Sequence, residues 1–272
     1  MIEKFLKNVR ETLPLVHNIT NYVTVNDCAN ALLAIGGSPI MSDDIDDVKD
    51  ITAICGGLNI NIGTLNSRTI PAMFAAGEVS NKLGHPILLD PVGAGASKLR
   101  TQTAKELIET LKLSVIRGNI SEIKALALGS SSTKGVDADS LDAVTEGTID
   151  SAIAFAREFS LRTGAVIVIT GAIDLVVDKD KAYVIRNGNA MMSKITGTGC
   201  MLSSIMTAFA VANPDNITDA CTAAVCAMGL AGERAFKILN NGGNATYRTL
   251  IIDELYNMTP EILKDGAKYE MR

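Results

Sequence analysis

AVIVITG, residues 165–171, is the stretch from which the rest of the chain can be read. Its apolar residues run on without alternation and stop at Thr170 and Gly171. A continuous apolar run of this length reads as a core strand of a parallel sheet, covered on both faces. Working outward, a long helical pattern fills about 149–162, and LSVIRGN (113–119) reads as a strand and turn before another helix from about 120. PILLD (86–90) follows a helix pattern at about 68–83 that Gly84 closes, and LNINIG (58–63) suggests a further strand. Near the start, 2–12 and 24–35 look helical, and GGSPIM turns into a short strand. After residue 171, DLVVD and AYVIR predict an antiparallel edge, and from 199 onward the pattern is almost wholly helical. Strands and helices that alternate without a linker predict an α/β fold with a mainly parallel sheet, in one domain spanning 1–272.

Composition agrees. The 272 residues are 47% hydrophobic and 20% charged, with positive mean hydropathy. No stretch of eighteen apolar residues occurs, so a membrane span is not expected. A net charge of -5 without a basic cluster argues against a nucleic-acid surface. The N-terminus carries acids among its bases and reads as an amphipathic helix, not a signal peptide. Five cysteines (28, 55, 200, 221 and 226) and two histidines fit neither a zinc site nor a disulfide framework, which predicts a reduced, cytoplasmic protein.

In open parallel sheets, ligands bind beyond the carboxyl ends of the strands. Four predicted strands end in polar or glycine-rich turns, at Gly63, DPVGAG (90–95), Arg117-Gly-Asn and Thr170-Gly. No dinucleotide fingerprint or P-loop is present: DPVGAGASK lacks the third glycine, and GSSSTKG (129–135) has its ingredients in the wrong order and reads as a solvated loop. A nucleotide would have to be held by other means.

KITGTGC (194–200) offers one. Gly197 and Gly199 permit tight turns before a helix, whose first N–H groups either receive a cap or cradle an anion. Cys200 is either a small buried hydrophobe or a thiol whose pKa the helix end lowers and whose flanking glycines leave it accessible. Asp90 caps its turn or holds a metal near phosphates. Asn119 and Glu122 form a capping box, unless Glu122 joins Asp90 at a metal through water. Arg117 at a strand end closes a surface ion pair or meets polyphosphate. The acidic run 43–50 reads as a solvated helix start, and Met191 and Met192 as packing residues.

HNITNYVTVNDCANALLAIGGSPIM, DPVGAG, RGNISEI, VITG and ITGTGC occur in this order, and together they resemble the hydroxyethylthiazole kinases, within the wider ribokinase-like group. The resemblance covers nearly the whole chain. It implies a ribokinase-like three-layer sandwich, with a central, mostly parallel sheet flanked by helices. It also implies ATP- and Mg²⁺-dependent phosphorylation of the alcohol of 5-(2-hydroxyethyl)-4-methylthiazole, feeding thiamine phosphate synthesis. Trimers with thiazole pockets near subunit boundaries are implied as well. By the same resemblance Met41 and Gly197 contact the thiazole, Arg117 and Thr170 bind ATP, and Asp90 and Glu122 serve the magnesium–phosphate region. Cys200 takes the place where related kinases carry a catalytic aspartate.

Overall fold

The computed structural model describes residues 2–128 and 143–272. The predicted polar loop, SSSTKGVDADS, lies outside the described residues. One nine-stranded sheet organises the chain: β1 (Leu15–Ile19), β2 (Ser38–Met41), β3 (Gly57–Asn61), β4 (Ile87–Asp90), β5 (Val115–Asn119), β6 (Val166–Thr170), β7 (Asp174–Val177), β8 (Ala182–Ile185) and β9 (Tyr269–Met271). Their spatial order is β2-β1-β3-β4-β5-β6-β7-β8-β9. Pairing is parallel through β6 and antiparallel beyond it.

Helices cover both faces. On one lie α1 (Glu3–Thr12), α2 (Val25–Ile35), α8 (Thr198–Ala212), α9 (Ile217–Ile238), α10 (Asn244–Tyr256) and α11 (Pro260–Gly266), packed in one apolar cluster. The other carries α3 (Val48–Ile54), α4 (Thr69–Leu83), α5 (Lys98–Thr110), α6 (Ile120–Ala127) and α7 (Ile149–Thr163), packed in a second. The alternation of β6 residues between the two clusters, Val166 and Val168 in one and Ile167 and Ile169 in the other, explains the unbroken apolar run. The expected three-layer sandwich is what the chain forms.

Several elements differ from the sequence reading. LVHNI is β1, an interior strand, although His17 and Asn18 interrupt its apolar pattern; both are buried and hydrogen-bonded. α5 begins at a Ser97 cap that accepts from the Arg100 N–H, in a segment given no element from sequence. The antiparallel edge is displaced outward, because β9 adds a strand beyond β8. The alternating LNIN of β3 is buried on both faces. Its asparagines face α8, where Asn59 donates to Ser204 Oγ (3.1 Å), so alternation here marks an internal polar layer instead of a wet face.

Candidate active site

β3, β4, β5 and β6 deliver Asn61, Asp90, Arg117 and Thr170 to the carboxyl edge of the sheet. Asn61 and Asp90 are register partners, as are Asn119 and Thr170. Asp90 is completely buried. Its Oδ2 accepts from Asn61 Nδ2 (2.8 Å), Ser203 Oγ (2.8 Å) and Arg117 Nη1 (3.3 Å). Arg117 then reaches Thr170, donating from Nη2 to Oγ1 at 2.6 Å. The predicted Asp90, Arg117 and Thr170 thus form one chain of contacts. Burial pushes the Asp90 carboxyl up, and the Arg117 charge with the Ser203 and Asn61 donors opposes that shift.

α8 points its N-terminus into this cluster. Gly197 occupies the N-cap position at φ 90°, and no side chain caps the helix. Its first intrahelical bond runs from Met201 N to Gly197 O, which leaves the N–H groups of Thr198, Gly199 and Cys200 without helical acceptors. An uncapped 15-residue helix that starts beside an arginine has the free N–H donors and the positive charge to receive an anion. Both glycines have steric work. A Cβ on Gly197 would come within 2.5 Å of Thr24 Cγ2, and one on Gly199 within 2.5 Å of Arg117 Nη1. The guanidinium can lie on the helix mouth because residue 199 has no side chain.

Cys200 follows in the first turn, and its sulfur accepts from Asn61 Nδ2 (3.2 Å) and Asn21 Nδ2 (3.3 Å). The expectation of an accessible thiol with a lowered pKa is overturned. Cys200 is buried, and desolvation together with the Asp90 charge raises its pKa against the opposing effect of Thr24, Asn21 and Arg117. At this helix end burial outweighs the donors and charge that favour the thiolate. The other four cysteines are buried and unpaired, as expected.

Two cavities flank the cluster. The larger, about 550 Å³, is bordered by Arg117, Thr170, Asp174, Thr198 and Gly199 among others. Met192, read from sequence as packing, also borders it while packing against the core. The smaller, about 230 Å³, is bordered by Met41, Ser42, Tyr22 and Asn61 among others. Asn61 therefore faces one cavity while holding Asp90 and Cys200 behind it.

Glu122 sits apart from both cavities, half-buried beside the DPVGAG turn. Its Oε1 accepts from Gly93 N (2.8 Å) and its Oε2 from Asn119 N (2.9 Å), while Asn119 Oδ1 accepts from Glu122 N (2.9 Å). The capping box is real and also ties down the glycine turn. Among the described residues no group of three or more His, Cys, Asp or Glu surrounds a metal position.

Sequence reasoning missed Asn21, Asn61, Ser203 and Asp174. Asp174 borders the larger cavity, accepts from Gly171 N (2.8 Å), and is pushed up to about 7, chiefly by burial. Asn61 closes β3 and Asp174 opens β7, so position at a strand terminus was the available signal for both. Ser203 carried none, as one small residue in an apolar helix.

The family model described as "Hydroxyethylthiazole kinase family" matches residues 6–261. The chain belongs to the hydroxyethylthiazole kinase family. It is 61% identical to the hydroxyethylthiazole kinase of Clostridium acetobutylicum over 271 residues, covering 99% of each chain. The solved structure of hydroxyethylthiazole kinase from Pyrococcus horikoshii superposes with a TM-score of 0.89 at 34% identity, covering 100% of this chain and 98% of that one. A ribokinase-like superfamily protein from Enterococcus faecalis shares the fold at a TM-score of 0.65 and 12% identity, with 95% of each chain covered. Family membership places the chain among the alcohol kinases of thiamine biosynthesis, and no helix among the described residues is long and apolar enough to cross a membrane.

Proposed function

We propose that the larger cavity holds ATP and the smaller holds 5-(2-hydroxyethyl)-4-methylthiazole, with phosphoryl transfer between them at the α8 mouth. The observation that carries this reading is the uncapped helix start, with Arg117 seated on Gly199 and a cavity on either side. The γ-phosphate would accept from the N–H groups of Thr198, Gly199 and Cys200, and Arg117 would steady it by charge. Thr170 keeps Arg117 in place through the 2.6 Å bond. Met41 supports the thiazole assignment, since its thioether borders the smaller cavity and can lie against a heteroaromatic ring. Gly197 brings the turn against Thr24 on the substrate side.

In the transfer, the alcohol oxygen forms a bond to the γ-phosphorus while the bond to the β,γ-bridging oxygen breaks and leaves ADP. The alcohol's proton departs late, because the transition state is loose. A neutral, buried thiol is a poor base, so Cys200 acts chiefly by anchoring the first turn of α8 behind Asn61. Its sulfur is fixed by two amide donors, and the proton leaves with the phosphate product or water. Bound Mg²⁺ would supply charge neutralisation across the phosphate oxygens. Glu122, which keeps solvent access, would hold the ion through water. Asp90, with Oδ2 engaged by three donors and no exposed surface, contributes charge and placement of Arg117 instead of a direct metal bond.

We extend the proposal to a homotrimer whose subunit boundaries pass near the smaller cavity. Tyr22, which borders that cavity yet is 78% exposed, supports it, and light scattering tests it. Five unpaired cysteines support a reducing, cytoplasmic setting. The decisive assay is ADP release with magnesium, comparing the hydroxyethylthiazole, hydroxymethylpyrimidine and no acceptor. Release that follows the thiazole alone is expected; equal release in all three arms refutes the reading.

A further inference from the structure

His17 is wholly buried in β1, on the face opposite Asn18, and takes no part in the chemistry described above. Its Nε2 lies 2.9 Å from the Ser42 carbonyl oxygen, and its Nδ1 lies 2.9 Å from Thr52 Oγ1 on α3. A carbonyl only accepts, so Nε2 carries a proton. Burial lowers the imidazole pKa, and Nδ1 meets a Thr52 Oγ1 that also donates to the Val48 carbonyl within α3 (2.6 Å).

What this ring holds matters. The β1–β2 ladder ends at the Asn18–Met41 pair, and β2 is the edge of the sheet with β1 as its strand neighbour. Ser42 lies one residue past that ladder, where strand pairing no longer fixes the backbone. Met41, Ser42 and Asp43 together border the smaller cavity. His17 replaces the missing ladder bond and pins this stretch to both β1 and α3. Ser42 Oγ adds a second tie, donating to the Asp47 carboxylate at the N-cap position of α3.

We propose that His17 is a positioning residue for the acceptor substrate: its imidazole, donating from Nε2 to the Ser42 carbonyl, fixes the Met41–Asp43 wall and so sets affinity for the thiazole alcohol, without touching it and without affecting the nucleotide. The inference rests on the smaller cavity being the acceptor site. The ring's own bonds identify its best replacement. Glutamine can present an amide N–H toward Ser42, and leucine fills similar space with no donor.

The test is steady-state kinetics of the intact enzyme with each substrate varied at saturation of the other. His17→Leu is expected to raise KM for the hydroxyethylthiazole about tenfold, the cost of one buried hydrogen bond left unmade, with KM for ATP within about twofold of the unsubstituted enzyme. His17→Gln should recover most of that loss. A folded His17→Leu enzyme with unchanged thiazole KM, or with both KM values raised equally, overturns the proposal. A rise confined to ATP overturns the cavity assignment beneath it. Should His17→Leu fail to fold, Thr52→Val, which removes the hydroxyl holding Nδ1, should raise thiazole KM about threefold; no change there overturns the proposal.

Discussion

Replacing Arg117 with methionine tests the core of the site most directly. The substitution keeps an unbranched stem and removes the guanidinium, so Asp90 stays buried with only Asn61 and Ser203 of its three partners. Breaking a buried ion pair by removing one member costs about 3–5 kcal/mol, and two surviving donors place this case near 3. With an unfolding entropy of roughly 2.1 cal/mol/K per residue, 272 residues give about 0.57 kcal/mol/K, so the midpoint should fall by about 5 °C. The pH dependence is the sharper signature. Burial already raises the Asp90 pKa above its ordinary value of 3.8 in the folded protein, and losing Arg117 removes the main opposing charge. For a carboxyl raised in this way, the unfolded chain ionises first. Stability is therefore full below about pH 4 and declines as pH climbs toward the folded value. The gap between Arg117→Met and the unsubstituted protein should be small near pH 4 and reach its full size by pH 8. Urea unfolding at both pH values measures it, with Asp90→Asn/Arg117→Met as the control that flattens the difference. A gap equal at both pH values, or below about 1 kcal/mol at pH 8, would show that Asp90 does not depend on the guanidinium.

Cys200→Ala should lower kcat about tenfold and leave the ATP dissociation constant intact; a loss beyond about 10²-fold with an altered pH–rate limb would instead make the sulfur a true base. Asp174 is pushed up to about 7, so it loses its proton across neutrality. Its new charge should repel the triphosphate and raise KM for ATP several-fold from pH 6 to pH 8.5, a trend that Asp174→Asn should abolish when titrations are run across that range. Glu122→Gln should raise the magnesium concentration needed for half-maximal turnover about threefold to tenfold, and an unchanged requirement would remove Glu122 from the ion's surroundings.

The fold was legible because apolar runs such as 165–169 need cover on both sides, and helical patterns lie between most of these runs. β1 escaped because its buried polar residues break that pattern, and burial of His17 and Asn18 depends largely on partners 25 or more positions away that no local window contains. The strand-end residues Asp90, Arg117 and Thr170 could be named from position, since a charge closing an apolar strand is costly unless it meets a ligand or a partner. Their joining into one chain could not be. It depends on β4, β5 and β6 being neighbours in this order. Cys200 shows the converse failure: helix-end chemistry predicted a reactive thiol, and the neighbours that bury it come from β3 and the turn after β1.

Asn61 deserves a last consequence. Its amide holds Asp90, Asp90 grips the arginine bordering one cavity, and Asn61 itself borders the other. Occupants of the two chambers thus press on a common partition from opposite sides, so their free energies of association are linked. By thermodynamic reciprocity, any factor by which nucleotide tightens or loosens the heterocycle's equilibrium is returned in equal measure. Loosening that one amide should uncouple the pair before it abolishes either association.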